Sequence, residues 1–98
     1  MIKSFRHKGI AQFFETGSKA GIQAKHAARL RLQLAALNRA KKPEDMAAPG
    51  WHLHSLSGKN PKGQATQGHW SIWVSGNWRL TFTFEGEDAV LVDYQDYH

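Results

Sequence analysis

Apolar residues in the first half of the chain recur with a helical period. Ile10, Phe13 and Phe14 stand at i, i+3 and i+4 ahead of Gly17, where the segment stops, and Gly21 reopens the chain after a short turn. Ala27, Leu30, Leu34 and Leu37 follow at steps of three, four and three, which aligns them on one stripe. Arg29, Arg31, Arg39, Lys41 and Lys42 fall largely off that stripe, so the stripe reads as core and the cations as a solvated face. Pro43 and then Pro49-Gly50 end the helical half.

From Trp51 the period changes to two. His52 and His54 alternate with Trp51 and Leu53, the pattern of a strand with one face on a core. A loop rich in Gly, Pro and Lys runs from Ser57 to Gly68. Trp70, Ile72 and Val74 then alternate with Ser71, Trp73 and Ser75. After Gly76-Asn77, Trp78, Leu80, Phe82 and Phe84 alternate with Arg79, Thr81 and Thr83, which predicts a hairpin. A two-residue turn would set Val74 against Arg79 and put the two apolar sets on opposite faces. A three-residue turn, Ser75-Gly76-Asn77, pairs Val74 with Trp78, Ile72 with Leu80 and Trp70 with Phe82, and burial selects it. The other face then carries Ser71, Trp73, Arg79, Thr81 and Thr83 and is left free. Glu85-Gly86-Glu87 makes a further turn, Asp88 to Tyr94 reads as an interior strand, and Tyr94 to His98 is left as a tail. The expectation is one α+β domain over residues 1–98, with a short N-terminal strand and two helices packed on one face of a small antiparallel sheet.

Composition narrows the chemistry. The chain has 98 residues, no cysteine and a formal charge of +5. Without cysteine there is no disulfide framework, thiolate metal site or thiol nucleophile. No apolar run approaches the ~20 residues of a membrane span, and the first residues lack the apolar stretch of a signal peptide, so a cytoplasmic protein without membrane partners is expected. The charge is uneven. Up to Lys42 the single acid is Glu15, whereas Glu85 to His98 holds Glu85, Glu87, Asp88, Asp93 and Asp96 with no Lys or Arg. The basic half suits phosphate or an acidic protein.

The candidates for chemistry are His54, Arg79, Asp96, Tyr97 and His98, with Lys59 and Lys62 in the loop beside them. Histidine serves as acid or base near neutral pH, and arginine clamps phosphate in two-pronged fashion. Such groups beside a basic surface suit RNA cleavage: one takes the 2′-OH proton, Arg holds the charge that builds on the phosphate, and another protonates the departing 5′-oxygen. Each residue also has a structural reading, as an exposed histidine, a cross-strand arginine or a frayed terminus. His52-x-His54 is also the spacing of a metal pair, with no third ligand evident nearby.

Leu53-His54-Ser55-Leu56-Ser57-Gly58, Trp70-Ser71-Ile72 through Asn77-Trp78-Arg79, and the final Asp96-Tyr97-His98 together resemble the HigB toxins of the RelE/ParE superfamily, and the opening Met1-Ile2-Lys3-Ser4-Phe5 is similar too. The resemblance implies a RelE-like fold and a toxin of a type II toxin–antitoxin pair, a ribosome-dependent endoribonuclease (mRNA interferase) that cuts mRNA in the ribosomal A site. It implies the ribosome, mRNA and a HigA-like helix-turn-helix antitoxin as partners, and no cofactor or metal. Carried over by position, His54, Arg79, Asp96, Tyr97 and His98 are the catalytic set. Ser57 stands where many members carry Lys and Ser75 where some carry Arg, and the Gly58–Gly68 loop is longer than usual, so Lys59 and Lys62, with Trp73, are the expected RNA contacts. The alternative from another class is a non-catalytic basic RNA- or ribosome-binding module in which Trp51 and Trp73 stack on bases. A third is a ribonuclease that needs no ribosome.

Overall fold

The computed structural model describes residues 1–97. Helix α1 (Lys8–Thr16) is capped at its start by His7, whose Nδ1 accepts from the Ile10 N–H at 3.0 Å. It ends at Gly17, whose φ of 82° turns its N–H back onto the Phe13 carbonyl. That is the left-handed cap expected of a glycine at this position. A short 3₁₀ turn, Ala24–His26, leads into α2 (Ala27–Arg39), and a second, Pro43–Met46, drops Met46 fully into the core. The predicted stripe Ala27, Leu30, Leu34 and Leu37 is buried throughout.

Four antiparallel strands follow in spatial order: β1 (His54–Ser55), β2 (Trp70–Ser75), β3 (Trp78–Glu85) and β4 (Asp88–Asp96). The predicted N-terminal strand takes the form of two isolated parallel bridges to β4, Ile2 to Ala89 and Phe5 to Val92. Asn38 of α2 accepts from the Ile2 N–H at 2.9 Å, which ties this edge to the helical layer. The core between the layers joins Ile10, Phe13 and the α2 stripe to Ile72, Val74, Leu80, Phe82, Val92 and Tyr94. Within it His26 Nδ1 and the Tyr94 hydroxyl lie 2.6 Å apart, and Trp78 stacks on Tyr94 with centroids at 4.4 Å.

Four sequence expectations need correction. Ile72 does face Leu80 and Trp70 faces Phe82, but Ser75, not Val74, pairs with Trp78. The turn is the two-residue Gly76-Asn77, and the extra residue sits at Val74 as a bulge. A bulge at Val74 accommodates the same surplus residue as a three-residue turn would, and adds twist. The expected strand around Trp51 to His54 shrinks to His54–Ser55, because His52 has a φ of 51°. The tail is not loose either: Tyr94, Gln95 and Asp96 continue β4 against Leu80, Arg79 and Trp78.

The fourth concerns the polar face, which is not free. Ser71, Thr81, Asp93 and Gln95 are all buried. The 57–68 loop lies over this face: Thr83 donates to the Gly68 carbonyl at 2.8 Å, Arg6 reaches Gln64 at 3.4 Å, and Pro61 and Lys62 share a cavity wall with Gln95. Asn60 holds the loop together. Its Oδ1 accepts from the N–H groups of Lys62 and Gln64, each at 3.0 Å, and its amide donates to the Gln64 side chain at 2.8 Å. Asn hydrogen-bonding its own backbone two residues on is the usual way a polar segment closes on itself.

Gly9 and Gly21 touch backbone to backbone: a Cβ on Gly9 would sit 2.4 Å from the Gly21 carbonyl oxygen. Neither partner is a flexible side-chain tip, so α1 must shift. Gly9→Ala is expected to cost about 1–3 kcal/mol, the range for overpacking, read as a lower urea midpoint with unchanged slope, whereas wild-type stability in the variant would show that the two segments separate without cost.

Candidate active site

Residues paired across an antiparallel sheet share a face, so the register defines the site. One row runs His54, Ser71, Thr81, Asp93 from β1 to β4, and the next runs Trp73, Arg79, Gln95. At roughly 4.8 Å per strand and ~7 Å between successive same-face residues, the face spans on the order of 10–15 Å.

The hairpin turn gathers one end of it. The Gly76 carbonyl accepts from Arg79 Nη1 at 3.0 Å and from the Trp73 indole at 2.8 Å, while the Tyr97 N–H donates to the Asn77 carbonyl at 2.8 Å. Gly76 has a φ of 55°, a conformation a side chain would strain. Arg79 Nη1 also donates to its neighbour Trp78 at 3.1 Å, so the guanidinium is held by one arm. An anchored fork loses less entropy when it clamps a phosphate.

Tyr97 returns to the face of Gln95, and its hydroxyl is buried with no hydrogen-bond partner among the described residues. Burial pushes its phenol pKa up, the charge of Asp93 raises it further, and Arg79 pulls the other way. The phenol therefore keeps its proton at neutral pH, as a proton donor must. Asp93 itself is 1% exposed. It accepts from the Tyr94 N–H at 2.9 Å and from the Gln95 amide at 2.6 Å. Asp93 and Gln95 were not among the sequence candidates. A lone carboxylate inside the apolar run Ala89 to Tyr94 was the available signal, since such a group stays ionised inside a protein only with partners.

His54 stands on the edge strand, exposed, two strands from Arg79. Its Nδ1 lies 3.1 Å from the His52 carbonyl, and Ser71 Oγ lies 3.4 Å from Nδ1 and 3.3 Å from Nε2. A carbonyl only accepts, so in the neutral ring Nδ1 carries the proton and Nε2 is the unprotonated nitrogen, within reach of the Ser71 hydroxyl. Trp73 is packed between Arg29, 5.4 Å above its ring, and the edge of His52. Trp51 is buried and Trp73 half-buried, so Trp73 is the more accessible indole of the pair.

The remaining candidates separate. Asp96 pairs with Trp78 and so falls on the opposite face from Arg79 and Gln95. His98 lies outside the described residues. Lys59 sits in the exposed part of the loop, while the charge of Lys62 bears on His7 beside β4. Among the described residues no group of three His or carboxylate side chains is placed to hold a metal, so His52 and His54 have no third ligand.

The α+β scaffold thus presents Arg79 and His54 on one face of its sheet, with Tyr97 at the end of that face. Residues 3–98 match the family of RelE-like toxins of the type II toxin–antitoxin system HigB. The chain is also 39% identical over 98 residues to the Endoribonuclease HigB of Proteus vulgaris, with the full length of both covered. The chain belongs to the HigB-like toxin family.

Asp93→Asn removes the charge that opposes ionisation of Tyr97. An ultraviolet titration of the tyrosines is expected to show the Tyr97 step at lower pH in the variant, and a step that stays in place or rises would show that Asp93 does not act on the phenol.

Proposed function

We propose that this toxin is a ribosome-dependent endoribonuclease that cuts mRNA in the ribosomal A site and stops translation. The observation that carries the reading is the Tyr97 phenol, buried, protonated and unpartnered among the described residues, beside Arg79 on the face that also bears His54. A relative named as an endoribonuclease over its full length supports the same activity.

In this reading His54 Nε2 takes the proton of a ribose 2′-OH, and the freed oxygen attacks the adjacent phosphorus. The P–O2′ bond forms and the P–O5′ bond breaks, leaving a 2′,3′-cyclic phosphate and a 5′-hydroxyl. Arg79 holds the negative charge that grows on the phosphate oxygens, and Tyr97 gives its proton to the departing 5′-oxygen. Asp93 acts through Tyr97 and Gln95 as a positioning residue. Trp73, Lys59 and Lys62 contact the RNA. So sparse an acid–base set favours a substrate held by a larger machine, because orientation supplied from outside lowers the barrier without further side chains. The basic first half then docks on ribosomal RNA. A HigA-like helix-turn-helix antitoxin is the cognate partner, and the protein acts in the cytoplasm.

Induction in bacteria is expected to arrest growth. His54→Ala and Tyr97→Phe should each slow cleavage of translated mRNA by about 10²–10⁴-fold, the range for one general acid or base; full toxicity of either would remove that residue from the chemistry. Replacing Lys59 and Lys62 together by Ala should weaken RNA binding and lower the salt dependence by about one unit of slope per lysine, and an unchanged slope would show that neither meets phosphate.

A further inference from the structure

At the free edge of β4, beyond the point where the N-terminal segment stops pairing, lies a second cavity of about 230 Å³. It opens round the strand edge from the candidate active site, and Gln95 belongs to both. It is smaller than the ~300–1,000 Å³ typical of sites for drug-sized ligands, a volume suited to a single heterocycle.

Its walls combine an aromatic pair with polar and charged side chains. Trp78 stacked on Tyr94 forms an aromatic side, their planes 26° apart. Gln95 is 4% exposed, its amide N–H is committed to Asp93, and its Oε1 has no partner among the described residues. A buried acceptor left without a donor costs free energy that a ligand N–H would recover. His7 also lines the cavity, its ring edge-on to Tyr94 with centroids 5.4 Å apart. Its Nδ1 is occupied in capping α1, so the neutral ring carries its proton on Nε2 as a donor. Lys62 and Asp96 complete the cavity wall.

We propose that this cavity is a nucleobase subsite that receives a base beside the scissile phosphate, with the Gln95 carbonyl accepting from the exocyclic amino group of adenine, cytosine or guanine and His7 and Lys62 donating to its ring nitrogen or carbonyl. Uracil lacks the exocyclic amine and meets the Gln95 carbonyl with its ring N3–H alone, so it is the base expected to bind most weakly. The role of the cavity in cleavage rests on the ribonuclease reading, whereas binding of a base does not.

The test therefore uses binding first. The full chain is titrated with AMP, CMP, GMP and UMP while the Trp78 indole and His7 imidazole signals are followed by NMR. Saturable shifts of both are expected with the three amino-bearing nucleotides, at least ten-fold weaker for UMP. His7→Asn keeps a good helix cap but removes the ring, and Lys62→Ala changes only a loop side chain; each should weaken the response by about ten-fold. Absence of shifts at Trp78 and His7, equal response to UMP, or unchanged binding in both variants overturns the proposal. Cut-site mapping with the wild type and the His7→Asn variant then separates the two readings. A changed base preference at one position supports the subsite. Cleavage with identical preference overturns its role in selection while leaving the ribonuclease intact, and failure of the wild type to cut would refute the ribonuclease with base binding still measured.

Discussion

The alternation of β3 between its two neighbours is the constraint on which both core and candidate site depend. Leu80 and Phe82 point into the helical layer, and Arg79 and Thr81 point the other way. A slip of one residue would bury Arg79 and expose Phe82, exchanging an anchored guanidinium for an unpaired buried charge. Two bulges keep the register compatible with the rest of the fold. One, at Val74, lets a two-residue turn close the hairpin; the other, between Thr81 and Thr83 on the β4 side, coincides with a φ of 56° at Leu91. The Leu91 N–H is taken up by Ser4 Oγ at 2.9 Å, so the N-terminal segment both closes the sheet edge and satisfies the irregular strand beside it.

That arrangement explains how a small domain accommodates a buried carboxylate. Asp93 sits where a core strand would ordinarily carry a β-branched residue, and it is tolerated because a backbone N–H and the Gln95 amide meet it within hydrogen-bond distance. Its charge falls on Tyr97, so one interaction links the packing of β4 to the protonation of the group proposed as the acid. The 57–68 loop contributes by covering the middle of the same face, which keeps water from screening these charges.

Much of the framework is legible in the chain itself. The Leu30, Leu34, Leu37 stripe, the Gly17 stop and the pairs Ile72–Leu80 and Trp70–Phe82 follow from period and burial. What escapes is whatever a periodic pattern does not encode. A bulge changes which residues pair without changing which are apolar, so Val74 kept its buried place while losing its partner. The loop from Ser57 to Gly68 is polar throughout, and nothing in its composition says that it folds over the sheet. Asp96 and Tyr97 are neighbours in sequence and therefore on opposite faces once β4 runs past Tyr94, which breaks up a catalytic set that reads as contiguous.

The central claim is that Tyr97 protonates the leaving oxygen while His54 activates the attacking one. An RNA carrying a bridging 5′-phosphorothiolate at the cut site, presented on the ribosome, tests it directly, since a thiolate departs without needing a proton. The account predicts that this substitution restores near wild-type cleavage to Tyr97→Phe and leaves His54→Ala slow; equal slowing of both variants on the sulfur substrate would contradict it.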